Sequence, residues 1–305
     1  MAVSICVIIA AAASVTHAQQ AVSSITQSRL FTTPSASAVT SAELGQAGNE
    51  GSANEDDSFG EQIVLRNQQR IPPFTLFANA SAFYSTNVDL RADHTRDDAF
   101  VVADAGAAWR RALSRMLLAD VSLAATLFRY SRASELDFER LTAGAGLNWA
   151  IPGGRGVVGF GRYDFTELLG KNSDELLRDH AFTAGAQKIF GFSRPHSLSV
   201  GAFGVGGIST PSSQQREQVG AFGGYHVQIS RSVGADLLYR YAAQFYSEGG
   251  RIDHNQTLAL AVGWTLASWL RLDALLSAGR NDSNRAVFEY DVLNTGGAVR
   301  LSARF

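Results

Sequence analysis

From Thr75 to Phe305 apolar and polar residues alternate one for one, and they do so through segments of roughly ten to fourteen residues. Side chains of a strand point alternately to its two faces, so each such segment is a ribbon with one greasy side and one mixed side. In TLALAVGWTL, Leu258, Leu260, Val262, Trp264 and Leu266 share one parity, and Thr257, Ala259, Ala261, Gly263 and Thr265 share the other. VGADLLYRYAAQF sets Val233, Ala235, Leu237, Tyr239, Tyr241 and Phe245 against Asp236, Arg240 and Gln244, and WLRLDALLSAG sets Leu270, Leu272, Ala274 and Leu276 against Arg271 and Asp273. Strands of soluble proteins usually run about five or six residues. A tilted strand that crosses a bilayer needs about 9 to 11.

Twelve segments of this kind are predicted, at 75–86, 98–111, 116–130, 138–150, 156–166, 179–190, 196–208, 217–230, 232–246, 254–266, 269–280 and 292–305. The connections between them alternate in length. ALSRM, IPGGRG, GFSRPH, ISRSV and LASW are tight, whereas STNVDLRADHTRDDA, SRASELD, TELLGKNSDELLRD, STPSSQQREQ, YSEGGRIDHN and RNDSNRAVFEYD are long and polar. Short turns on one side and long loops on the other describe an antiparallel up-and-down transmembrane β-barrel with a periplasmic and an extracellular rim. The even strand number puts both barrel ends on the short-turn side. The fold class expected is therefore all-β, with residues 73–305 forming the barrel.

An arginine or lysine on the lipid face near mid-membrane costs about 2 to 4 kcal/mol, so mid-strand charges are expected to face the lumen. This assigns Arg140, Arg162, Asp164, Lys188, His226, Asp236, Arg240, Arg271, Asp273, Arg300 and Arg304 to the inner wall. Bases outnumber acids in the set, which predicts a mild anion preference if the lumen conducts. The alternative is arginine–aspartate pairing, as between Arg271 and Asp273, that fills the lumen as a polar core. Trp109, Tyr130, Trp149, Phe165, Phe190, Tyr246, Trp264, Trp269 and Phe305 fall near the rims and are expected to form aromatic girdles. The segment LLGKNSDELLRD has a helical pattern. It reads as a surface loop, with an inward fold that narrows the lumen as the other possibility.

Composition agrees. Charged residues make up 18% of the 305, below the roughly 25% of soluble domains, so the surface is covered by something else. A net charge of -2 leaves no basic excess to neutralise phosphates and argues against a nucleic-acid partner. The first residues, MAVSICVIIAAAASVTHAQQ, give an apolar run followed by Thr16-His17-Ala18, the pattern of an export signal cleaved near Ala18. Cys6, the only cysteine, lies inside that leader, so disulfides, thiol catalysis and cysteine-ligated metals are not expected in the mature chain. Residues 19–72 are rich in Ser, Ala, Thr, Gln, Gly and acids and bury too little to fold alone; they are expected to be a disordered periplasmic segment. Export, strand richness and the barrel pattern together imply the bacterial outer membrane and contact with its lipid.

No chemistry-bearing motif competes with this reading. GRGVVG (154–159) matches G-x-G-x-x-G, but it sits between two strands, whereas the nucleotide fingerprint opens a helix. G-x-S-x-G and H-E-x-x-H are absent from the sequence. His94, His180, His196, His226 and His254 lack metal-ligand spacing. No catalytic residue, metal site or cofactor is assigned.

The closing stretch VRLSARF, with Val299, Leu301, Ala303 and Phe305 on one parity, resembles the assembly signal of bacterial outer-membrane barrels. That resemblance implies recognition by the barrel-assembly machinery. FTLFANASAFYSTNVDL, an aromatic-rich first strand leading to Asn87 and Val88, resembles the opening of β-barrel porins attached to export or exopolysaccharide systems, although Ser85 and Thr86 stand where that family usually carries Asp before Asn. The resemblance implies place and architecture more than a substrate. The function expected of the chain is a pore or conduit for small solutes or a secreted polymer such as a polysaccharide, not an enzyme. Two other functions remain open at this point: a closed structural or adhesion barrel with surface-binding loops, and an outer-membrane lipid-modifying enzyme.

Overall fold

The structure, a computed structural model, describes residues 73–305 apart from 155 and 194. The leader 1–18 and the segment 19–72 lie outside the described residues. Twelve strands follow one another: β1 (Phe74–Ser85), β2 (Asp98–Ala112), β3 (Leu117–Tyr130), β4 (Phe138–Ala150), β5 (Val157–Gly170), β6 (Glu175–Ser193), β7 (His196–Thr210), β8 (Arg216–Gln228), β9 (Val233–Tyr246), β10 (Ile252–Ala267), β11 (Leu270–Ser283) and β12 (Tyr290–Arg304). Each pairs with its sequence neighbours in antiparallel fashion, and β1 pairs with β12, closing the barrel. At the seam Phe74 and Phe305 exchange backbone hydrogen bonds of 3.2 and 3.1 Å, and their rings stack at 6.2 Å.

Register fixes the faces. The row Asn79, Asp104, Thr126, Arg140, Leu168 runs inward across β1 to β5, and the same parity continues around the wall to Arg300 and Arg271. The opposite parity is the outer surface, and its large apolar side chains are exposed in every strand but β5, among them Leu123, Leu147, Phe182, Val219, Leu237, Leu260, Leu276 and Leu301. A water-soluble monomer rarely carries a contiguous apolar patch above a few hundred Å². A complete apolar ring is a hydrocarbon-facing belt. Trp109, Trp149, Phe165, Phe190, Trp264 and Phe305 stand on this outer parity.

Three expectations need correction. TELLGKNSDELLRD is not a long loop: β5 continues to Gly170, β6 resumes at Glu175, and Ser173 at φ 63° helps turn the chain between them. The Leu-Leu doublets hid the period of two: Leu168 and Leu177 pair in register, both inward and buried, and just beyond them the register shifts so that Leu169 pairs with Glu175 and Leu176 is skipped. Tyr130 and Tyr246 are not girdle residues. Tyr130 lies opposite Phe100 and Tyr246 opposite Arg216 on the inner parity, and both are buried. The third correction, Lys188, belongs to the candidate site.

Several inward phenylalanines lie flat along the wall because the position beside each is glycine. A side chain at Gly185 would meet the Phe160 ring and the Ala202 carbonyl; at Gly201 it would meet Phe222, at Gly220 Phe203, and at Gly296 Phe83. The rings coat the inner wall by occupying the space a Cβ would take. Gly185→Val is expected to lower stability by about 1 to 3 kcal/mol through overpacking, read as a lower urea midpoint for unfolding from lipid vesicles. Gly161→Val, on the outer face with open space around it, should leave the midpoint unchanged.

Candidate functional site: the lumen

Inward side chains divide the lumen into two halves. On β1 to β4 and β10 to β12 most are buried, and on β5 to β9 most are only half-buried. The packed half is aromatic towards the long-loop rim. Phe128 and Phe138 stack at 4.2 Å with almost no exposed surface, and Phe83, Phe100 and Tyr130 continue the cluster. The loop after β1 and the loop after β3 fold onto it, contributing Val88, Ala133 and Leu136. Both loops are tied down by buried polar groups. Asn87 Nδ2 donates to the Arg91 and Asp291 carbonyls at 2.8 and 2.9 Å, and its Oδ1 accepts from Arg91 N. Asp98 Oδ2 accepts from the Arg132 and Ala133 amides at 2.9 and 2.8 Å. Asn87 and Val88, singled out in the sequence by resemblance, thus hold the rim: one pins the first loop and the other packs beneath it.

Below the aromatics the wall carries charge, and the charges meet in groups. Arg162 donates to Asp120, to Asp164 at 2.8 Å and to Ser122 at 2.7 Å, joining β3 and β5 over the small Gly144 and Gly146 of β4. Arg271 and Arg300 converge on Asp273 at 2.9 and 2.8 Å, and its side chain has no exposed surface. Asp236 stands 3.9 Å from Arg271 and accepts His226 Nδ1 contact at 2.7 Å, carrying the network towards the short-turn rim. Arg140 is buried, bonds Thr126 at 3.0 Å and lies over the Phe128 ring at 5.9 Å. Arg240 lies over Phe203 at 4.8 Å and reaches Gln218 at 3.3 Å. Arg304 takes the inner parity opposite Thr75 at the short-turn rim.

Of the eleven residues assigned to the inner wall, Lys188 is the one that the register turns outward. It pairs with Val157 and Val200, both on the lipid parity, and its Nζ lies 4.8 Å from the centre of the outward Phe190 ring. Near a rim a lysine can run its stem along apolar surface and place the ammonium at the headgroups, so the mid-membrane penalty does not apply.

Asp104 and Asp120 were not among the residues singled out, and they alter the balance. Counted by register over the described strands, the inward arginines are Arg110, Arg140, Arg162, Arg216, Arg240, Arg271, Arg300 and Arg304. They are matched one for one by Asp98, Asp104, Asp120, Asp164, Asp179, Asp236, Asp253 and Asp273. Arg251, just ahead of β10, is buried against Asp253 at 2.9 Å, so beyond these pairs the wall carries no large basic excess. The signal was present in the sequence, in ADAGA around Asp104 and LADVS around Asp120, each on the parity opposite its greasy neighbours.

Three histidines belong to the outer surface. His180, His254 and His196 each meet a tyrosine hydroxyl, of Tyr163, Tyr241 and Tyr225, at 2.8, 2.8 and 2.6 Å. Every pair is a diagonal neighbour across two strands on the lipid parity. They are interfacial hydrogen-bonding pairs with an apolar body and a wet end.

Removing Asp273 leaves two guanidinium groups facing each other without their shared partner. Breaking one side of a buried charge group costs about 3 to 5 kcal/mol, so Asp273→Asn should lower the urea midpoint in vesicles. The double change Asp273→Asn with Arg300→Leu is expected to recover part of that loss.

No protein-family model matches the chain. No curated protein matches it in sequence. Solved structures match in shape. An outer-membrane channel from Pseudomonas putida F1 superposes with a TM-score of 0.52 at 10% identity, over 83% of this chain and 100% of that one. A bacterial polysaccharide outer membrane secretin gives 0.46 at 14% identity, over 75% and 98%. LpxR from Salmonella typhimurium gives 0.44 at 10% identity, over 74% and 99%. Likeness at this identity is likeness of fold. With the closed twelve-stranded sheet, the girdled apolar belt and the charged interior, the likeness to the first of these shows that the chain has the fold of an outer-membrane β-barrel.

Proposed function

We propose that the barrel is a passive conduit for small solutes, with the path running along the β5 to β9 half of the lumen. The observation that carries this reading is the asymmetry of the inner wall. Phe203, Val205, Gln218, Phe222, Arg240 and Gln244 keep accessible surface inside the barrel, whereas most inward side chains of β3 and β4, among them Asp120, Thr126, Phe128, Phe138 and Arg140, are buried. Asp236 and His226, half-exposed at 47 and 41%, continue the accessible strip to the short-turn rim. Twelve strands lie between the roughly eight of a filled barrel and the sixteen or more of a wide aqueous pore. Packing one half with aromatics narrows the interior further. A narrow passage suits small solutes better than a bulky polymer.

The matched arginines and aspartates predict weak ion selectivity, because rings of one sign are what select. The competing reading is a closed barrel whose loops bind a surface partner. It draws on the same packed aromatics and on the two pinned rim loops, and conductance separates the two.

In planar bilayers the refolded chain should give small discrete current steps and a reversal potential near zero across a salt gradient. Exchanging Arg240 and Arg271 for Glu should move that potential to the cation-selective side, and Phe222→Ala should enlarge the unit step. Persistent silence from a barrel that keeps its heat-modifiable migration on gels overturns the conduit.

A further inference from the structure

The outer wall carries a concavity of about 380 Å³ where β9 to β12 approach the long-loop rim. Its position is independent of the lumen and of any conduit. Two rows of outward residues form it. The lower row is Tyr239, Leu258, Ala278 and Leu293, in register across β9, β10, β11 and β12. Ala278 stands between two leucines, so the row has a trough at its centre. The upper row, two residues nearer the rim, brings Gln256, Arg280 and Asp291 side by side. Thr86 closes one side and is fixed there by accepting the Leu293 amide at 3.0 Å. On the other side the Tyr239 hydroxyl donates to Gln256 at 3.1 Å.

The change from one row to the next is a change of solvent. Further towards mid-membrane the outward residues in register are Leu237, Leu260 and Leu276; further towards the rim they are His254 and Asp282. The concavity therefore straddles the boundary between hydrocarbon and headgroups, with an apolar floor below and hydrogen-bonding groups above. That is the shape of a site for one amphiphile of the outer leaflet.

The headgroup chemistry follows from the charges. Arg280 alone would favour a phosphate. It is held by Asp282 through Nε at 2.9 Å and Nη2 at 2.8 Å, and Asp291 lies beside it in register. Two carboxylates around one guanidinium repel an anionic group. A sugar carries no charge and offers hydroxyls that can donate to carboxylates and accept from the guanidinium and amide. From this we infer that the groove on β9 to β12 is a binding site for a glycolipid, with an acyl chain in the Ala278 trough and the sugar against Gln256, Arg280 and Asp291.

The test uses the full barrel in nanodiscs, with lipid retention read by native mass spectrometry. The probes are a diacyl glycoglycerolipid and phosphatidylglycerol of the same chains. The wild-type barrel should retain the glycolipid about tenfold better, a difference of about 1.4 kcal/mol. Ala278→Phe fills the trough and should cut glycolipid retention about fivefold, the order expected from displacing one or two buried methylenes. Asp291→Asn removes a sugar acceptor and a repelling charge, and should narrow the preference for glycolipid over phosphatidylglycerol. Heat-modifiable migration reports that each variant is a folded barrel, and Asp291→Asn tests the site if Ala278→Phe fails to fold. Equal retention of the two lipids by the wild type, or unchanged retention and preference in the variants that fold, overturns the site. Bilayer currents in the same variants should equal those of the wild type, so failure here and failure of the conduit are told apart.

Discussion

Hydrocarbon offers nothing to a backbone N–H or C=O, and an unsatisfied group there costs several kcal/mol. That single constraint dictates closure. A strand ladder with two free edges would expose a row of such groups to the lipid on each side, and pairing β1 with β12 removes both rows at once. Everything else in the structure follows from having closed the sheet: an outside that must be greasy, an inside that must hold the remaining polarity, and two rims where the solvent changes. The reciprocal bonds between Phe74 and Phe305, capped by their stacked rings, are where the closure is completed at the short-turn rim.

The interior is a small polar and aromatic core built under the opposite rule to a soluble one. Charges are admitted because they pair: Asp273 with Arg271 and Arg300, Asp120 and Asp164 with Arg162. Aromatics are admitted because glycines on neighbouring strands let their rings lie against the wall. Neither device is distributed evenly. On the sealed side the Phe128–Phe138 stack with Phe83, Phe100 and Tyr130 packs beneath the rim, and two rim loops complete it through Val88, Ala133 and Leu136.

Strand number, strand order and most faces were legible in the sequence, since a period of two needs only the order of greasy and polar residues. The failures have physical causes. The doublets Leu168-Leu169 and Leu176-Leu177 break the period because a register irregularity lies within the ladder, and no count along the chain shows it. Tyr130 and Tyr246 were misplaced because an aromatic near a rim is equally at home in a girdle or beneath a loop. Lys188 departs from the pattern because charge alone does not force a side chain inward: a long stem near a rim can keep its head wet from outside. The lumen residues were identified singly, but their grouping was not legible. That Arg162 meets Asp120 across an intervening strand depends on stagger, which only the folded sheet sets.

The seam also bears on how the chain is made. Its two partners are the first strand and the last, separated by the whole length of the barrel, so no shorter piece of the sequence can satisfy both edges. A chain lacking Tyr290–Arg304 would leave β1 and β11 each with an open ladder, and an open ladder seeks any strand within reach. The fifteen residues of β12 are therefore what turns an open ladder into a closed sheet.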